Sequence, residues 1–162
     1  MNLKIAGIVE ESVVDGPGLR FVVFAQGCKR HCPGCHNPHT HDYSAGQSID
    51  TQTLIEMMQG NPLLDGLSLS GGEPFDQPEA FAELADMAHR CGYSVMAWSG
   101  YTFEELVASK TQRRLLEAVD VLVDGPFVIA QRSLSLLWRG SSNQRVIDVK
   151  QSLTNNKLTI IS

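Results

Sequence analysis

The chain has 162 residues, 43% hydrophobic and 19% charged, with 13 Lys and Arg against 18 Asp and Glu. Its net charge of −5 argues against broad binding to nucleic acid or anionic membranes, and no apolar run approaches the roughly 20 residues of a membrane span. Glu10 and Glu11 interrupt the N-terminus before a signal-peptide core forms, so the expectation is a cytoplasmic globular protein, one domain over residues 1–162, with a core that needs no disulfides.

Leu19 to Ala25 is of strand length and carries a continuous apolar run at Phe21, Val22, Val23 and Phe24, as for a strand buried on both faces. Asp50 is a plausible N-cap for a helix carrying Leu54, Ile55 and Met58, with Gly60 as its stop. Leu67 to Ser70 reads as the next strand. Asp76 with Glu79 predicts a helix start, followed by Phe81, Leu84, Ala85 and Ala88 at helical spacing and ended by Gly92. Tyr93 to Trp98 reads as a strand. Thr102 and Glu105 form a capping box, Tyr101 is placed to staple onto Leu106, and that helix is expected to run towards Glu117. Val119 to Val123 is a further strand. Arg132 to Trp138 has no clean period, while Arg145 to Val149 and Leu158 to Ile161 resemble short strands.

Strands separated by helices predict an α/β fold, a compact partial (β/α) barrel of mainly parallel strands. Ligands in such folds gather at the carboxyl ends of strands, where the strand-to-helix loops converge. Those loops hold Cys28 to Cys35, Gly71-Gly72-Glu73-Pro74, Ser99-Gly100-Tyr101 and Asp124-Gly125-Pro126. Every chemically unusual segment is therefore expected on one face.

Cys28, Cys32 and Cys35 offer three thiolates from one short loop, with the fourth cysteine, Cys91, far away at a predicted helix end, where a buried apolar role is expected. His89 is expected to be an ordinary helix-face residue. Thiolates select zinc or iron–sulfur clusters. Three cysteines leave one iron of a four-iron cluster for a non-protein ligand. His31, His36, His39 and His41 crowd the same loop, so a structural zinc site with three cysteines and a histidine stays open at this point. Two glycines at Gly71 and Gly72 let a ligand approach the backbone, and Glu73 is placed to accept from a ligand ammonium group. Asp124 is placed for a ribose hydroxyl, a cation or a turn. Asp15 shares that ambiguity, and position favours Asp124.

The Cys-x3-Cys-x2-Cys loop followed by Gly-Gly-Glu-Pro resembles the radical S-adenosylmethionine superfamily. Val14 to Arg20, Gln26-Gly27-Cys28 and Cys35-His36-Asn37-Pro38 are similar to the glycyl-radical-enzyme activases. Trp98 to Thr102, Val123 to Phe127 and Trp138 to Arg145 resemble the branch that activates anaerobic ribonucleoside-triphosphate reductase. The resemblance implies a [4Fe-4S] cluster on Cys28, Cys32 and Cys35, with S-adenosylmethionine on the open iron. It implies reductive cleavage to a 5′-deoxyadenosyl radical, which makes a glycyl radical on the reductase. It places Gly71, Gly72 and Glu73 at the methionine end, Gly34 and His36 beside the cluster and adenosine, and Ser99 and Asp124 on the ribose side. No general base is needed, and a reductant protein such as flavodoxin is the expected electron source. Many superfamily members carry an aromatic residue where this chain has Gly34, so its adenine face must come from backbone or elsewhere. Trp138, Arg132, Arg139 and Arg145 are candidate partner contacts, against a solvated basic face. Two other readings stand beside this one: a radical enzyme acting on a small molecule such as a deazapurine precursor, and a zinc-stapled binding module.

Overall fold

A computed structural model describes residues 1–161. Its seven strands form one sheet: β1 (Asn2–Ser12), β2 (Arg20–Ala25), β3 (Gln47–Asp50), β4 (Gly66–Gly71), β5 (Ser94–Trp98), β6 (Val121–Asp124) and β7 (Arg145–Asp148). The spatial order is β3-β1-β2-β4-β5-β6-β7. The pairings β2–β4, β4–β5 and β5–β6 are parallel, in the expected α/β pattern. Antiparallel strands close both flanks: β1 with β3 on one side, β7 on the other.

Among the described residues four α-helices lie between these strands, α1 (Thr51–Gln59), α2 (Pro78–Arg90), α3 (Phe103–Ala108) and α4 (Lys110–Leu116), and α5 (Val149–Asn155) follows β7. Alternation along the strands sends Phe21, Val23, Leu67, Leu69, Val95, Ala97 and Leu122 to the same side as Leu54, Met58, Phe81, Leu84, Leu106 and Leu115, in one buried core. Each such fully buried Phe, Leu, Val or Met side chain contributes about 1.5–3 kcal/mol. The other face carries a smaller cluster, Met96, Val123 and Val146, packed with Trp98, Val121 and Trp138. Helices therefore cover one face, and loops are left to build on the other.

Local chemistry explains the helix ends. Asp50 caps α1 by accepting from the Gln52 amide at 2.8 Å, and Gly60 ends it. The Thr102–Glu105 box caps α3 reciprocally. That helix does not run on to Glu117, because Ser109 adopts an extended conformation and its hydroxyl accepts from the Gln112 amide, starting α4. Asp76 does not cap α2 either. Pro78 occupies the first turn and Gln77 is the N-cap, leaving Asp76 in a preceding 3-10 turn with a different task. Strands β1 and β3 and helix α5 were not evident in the sequence, and Leu158–Ile161 contributes only a bridge from Ile160 to Ile147.

Two isolated residues also differ from expectation. Cys91 is exposed and accepts from Gln59 Nε2 at 3.3 Å. His89 Nε2 lies 2.7 Å from Asp120, whose carboxylate also accepts from the Val95 amide, so this pair ties α2 to the start of β5.

Candidate functional site

On the helix-free face, a cavity of about 320 Å³ is lined by the loops that follow β2, β4, β5 and β6. Residues 13–18 cross this face below it. They are held by Arg20, which is 1% exposed and donates to Pro17 O, Ser68 Oγ, Ser94 Oγ and Leu67 O. Ser68 in turn donates to Asp15 O at 2.6 Å, and Val14 and Asp15 reach the cavity wall.

The cysteine loop leaves β2 and returns to its own base. Gly27 N donates to Thr40 O at 2.6 Å and Cys28 N to His41 O at 3.1 Å, while the buried Gln26 amide donates to His39 O and Asp42 O. The excursion between is thereby fixed at both ends. Cys28, Cys32 and Cys35 are half-buried, free of disulfides, and all line the cavity, as do His36 and His41. Burial pushes the Cys28 thiol up, opposed by the backbone amides of Arg30 and His31. The Asn37 amide lies 3.4 Å from the Cys35 sulfur. Soft sulfur ligands from one loop, flanked by amides that stabilise thiolate charge, fit an iron–sulfur cluster. Among the described residues, no three His, Cys, Asp or Glu side chains form a group that holds a single metal ion. Ligands to separate irons of a cluster need no such convergence. His36 packs edge-on against Phe127 with centroids 5.3 Å apart, and His31 against His41 at 4.5 Å. Gly34 has φ +74, and a Cβ there would lie 2.6 Å from Ile129 Cδ1.

The glycines after β4 serve the fold first. A Cβ on Gly71 would lie 2.6 Å from Ala25 N, and one on Gly72 2.5 Å from Gly27 O. The space they open is filled by this chain's own backbone: Gly72 N donates to Ala25 O and Glu73 N to Gly27 O, both at 2.8 Å. These bonds hold the Gly-Gly-Glu turn directly against the root of the cysteine loop.

Glu73 is the charged group at the centre of the site. It is 2% exposed, and its carboxylate accepts from Gly100 N and Ser99 Oγ at 2.8 Å and from Phe75 N at 3.2 Å. Burial outweighs those three donors and pushes the carboxyl up to about 7. Ser99 also accepts from Tyr101 N, so it acts through Glu73 by holding that carboxylate in place.

Asp124 is placed elsewhere. It is 1% exposed, accepts from Phe103 N at 2.7 Å and from Arg145 Nε at 3.0 Å, and lines a separate pocket with Thr102 and Arg145. Arg145, which also pairs with Glu104, is held strongly protonated by the two carboxylates. Of the two ambiguous aspartates, Asp15 lines the cysteine cavity and Asp124 does not.

Other residues at the site gave less signal in the sequence. Asp76 accepts from Tyr43 Oη at 2.6 Å and from Tyr101 Oη at 2.7 Å, joining the return of the cysteine loop, the turn after Glu73 and the loop after β5. Arg30 lies over the Tyr101 ring at 4.6 Å and lines the cavity. The readable clue for Asp76 was Pro78, which marks a helix start two residues later than Asp76.

This fold, with three free cysteines on one loop at the strand ends, defines a protein of the iron–sulfur class, and the model of the 4Fe-4S single cluster domain family matches residues 14–147. Curated relatives carry the comparison further. The anaerobic ribonucleoside-triphosphate reductase-activating protein of Escherichia coli (strain K12) is 36% identical over 143 residues, covering 83% of this chain and 91% of that protein. Its counterpart in Haemophilus influenzae is 37% identical, covering 82% and 89%, and that of Enterobacteria phage T4 is 34% identical, covering 82% and 86%. The chain belongs to the family of anaerobic ribonucleoside-triphosphate reductase-activating proteins. In fold it is similar to QueE from Escherichia coli, with a TM-score of 0.52 over 63% of this chain and 54% of that one, at 18% identity.

Proposed function

We propose that the protein is an iron–sulfur activase that cleaves S-adenosylmethionine and generates a glycyl radical on anaerobic ribonucleoside-triphosphate reductase. The observation that carries this reading is the convergence of three free cysteines and a buried carboxylate on one cavity at the strand ends. In this reading the whole chain, residues 1–162, is one radical S-adenosylmethionine domain working in the cytoplasm, with a reductant protein such as flavodoxin as electron source.

Cys28, Cys32 and Cys35 hold the cluster, leaving one iron open. When bound, the cluster would supply the one electron needed to split S-adenosylmethionine into methionine and a 5′-deoxyadenosyl radical able to take a hydrogen atom from a reductase glycine. This chain binds, orients and shields. Glu73 accepts from the ligand ammonium group at the methionine end, oriented by Ser99, Gly100 and Phe75. A cation there offsets the cost of an ionised carboxylate in a buried position. Gly71 and Gly72 set that carboxylate beside the cysteine loop. Gly34 and His36 flank the cluster, and Phe127, against His36, offers an aromatic face near the position where Gly34 lacks one. Glu73, Ser99 and Gly125 give the cavity a buried stretch of wall, which keeps water from a reactive species on that side. No side chain has to move a proton.

The test is anaerobic reconstitution with iron and sulfide, followed by S-adenosylmethionine, dithionite and the reductase. The expected result is 5′-deoxyadenosine together with a glycyl-radical signal on the reductase, both lost on Cys→Ala change at 28, 32 or 35. Cleavage with no radical on the reductase would overturn the assigned substrate and favour a small molecule. A colourless protein that retains zinc and cleaves nothing would overturn the reading altogether.

A further inference from the structure

In a chain of net charge −5, two segments that border the cavity carry no acidic residue. Residues 28–41 contain Lys29, Arg30 and four histidines, and residues 125–147 contain Arg132, Arg139 and Arg145. Arg145 is neutralised by Asp124 and Glu104, but Lys29 and Arg132 are exposed. The acids on the cavity wall are the buried Glu73 and the part-buried Asp15, on the loop that also carries Val13 and Val14, so the exposed charge of the cysteine loop and of residues 125–147 is positive.

The second of these segments forms a strap. Arg132 bridges to Ser141 in antiparallel register, Ser133 N donates to Gly140 O at 3.2 Å, and Ser142 N donates to Gln131 O at 2.9 Å. Its inner end is pinned to the sheet, where Trp98 Nε1 donates to the carbonyl of Trp138 at 2.8 Å. Trp138 takes φ +63, a conformation that bulky residues rarely adopt, and lines the cavity there. The outer end is apolar and bare: Leu134 is 83% exposed and Leu137 61%. Val13 and Val14, 74% and 75% exposed, stand on the other loop that borders the same cavity. Exposed apolar side chains on a strap already fixed at its root gain by burial without first paying to order the backbone.

We propose that the strap 132–141, with Val13 and Val14, is the docking surface for an acidic segment of the partner reductase that carries apolar side chains. Positive charge at the rim steers an acidic partner, and the leucines then lose their contact with water when it seats. This rests on the activase reading for the identity of the partner. Val14 and Trp138 reach the cavity wall but Arg132, Leu134 and Leu137 do not, so changes at those three separate docking from cofactor cleavage.

The experiment measures binding of the reconstituted protein to anaerobic ribonucleoside-triphosphate reductase by biolayer interferometry, at low and at high salt. Three variants are compared: the double change Leu134→Ser with Leu137→Ser, Arg132→Glu, and the remote control Arg90→Glu on α2. Iron content and circular dichroism establish that each is folded. The expected result is a Kd raised about tenfold or more by the leucine change at both salt concentrations. Arg132→Glu should slow association about fivefold at low salt, with the difference shrinking at high salt. Arg90→Glu should bind as wild type. Wild-type affinity in the leucine variant, or an equal loss in Arg90→Glu, would overturn the proposal. So would sedimentation showing that the same leucines hold two copies of this chain together. Cofactor cleavage by the wild-type protein alone is measured in parallel: its absence would sink the activase reading while leaving the binding result to judge the surface.

Discussion

The carboxyl of Glu73, held at about 7 instead of the ordinary 4.5, costs about 3 kcal/mol more to ionise in the fold than in the unfolded chain. The direction follows from proton counting. Between pH 4.5 and 7 the folded chain keeps a proton that the unfolded chain has lost, so stability falls through that window and levels off above it. Glu73→Gln removes the titration while keeping the shape. Neutral glutamic acid and glutamine both set a donor among Ser99 Oγ, Gly100 N and Phe75 N, so that local cost cancels in the comparison. Urea unfolding of the anaerobic apo-protein at pH 5, 6, 7 and 8 should therefore find wild type and variant within about 1 kcal/mol at pH 5. At pH 8 the variant should be the more stable by about 3 kcal/mol. A cationic ligand reverses the preference, since a charge-assisted hydrogen bond to the ionised carboxylate is worth about 1.5–3 kcal/mol. S-Adenosylmethionine bound by reconstituted wild-type protein should tighten as pH rises through 7, and the variant should bind about ten- to a hundredfold more weakly at pH 8. A stability difference that stays constant with pH would refute the reasoning, as would a variant less stable than wild type at pH 8.

Two further predictions concern the supports of the site. Arg145→Met should destabilise by about 3–5 kcal/mol, because it leaves Asp124 buried without its cation. Asp124→Asn, correctly folded, should keep S-adenosylmethionine affinity within about threefold by equilibrium dialysis; a larger loss would put Asp124 at the ligand. Removing either hydroxyl from the Asp76 cluster, by Tyr43→Phe or Tyr101→Phe, should couple to Asp76→Asn by about 1 kcal/mol in double-mutant cycles on urea unfolding, since half-exposed bonds to a carboxylate lie at the low end of their range. A coupling indistinguishable from zero would mean that Asp76 does not join the loops.

How much was legible varied with the range of the interaction responsible. The α1 cap and the α3 capping box were readable because each is settled within four residues. The break at Ser109 used the same local code, a serine three residues before a glutamine, but lay inside a pattern that also suits one long helix. Strand β1 escaped notice because its pairing with β2 shifts register between Ile5 and Gly7, which breaks the period-two alternation that betrays a half-buried strand. Glycines 71 and 72 were recognisable as a close approach. What approaches them is the backbone at Ala25 and Gly27, more than 40 residues earlier in the chain, which no local pattern announces.

By itself the sequence determined the chemistry on offer: three soft ligands at fixed spacing, a glycine-flanked glutamate, an acidic chain with basic segments, and strand ends that carry them all. Those are properties of residue type and short spacing, and they survive in the one-dimensional string. Only the tertiary structure decided how each carboxylate is used. Burial sets Glu73 among three donors on the cavity wall, Arg145 claims Asp124 for a different corner, and Asp76 gathers two tyrosines from separate loops. Desolvation and hydrogen bonding depend on which groups converge from distant parts of the chain, so the task of a charged residue is fixed only when the fold has closed around it.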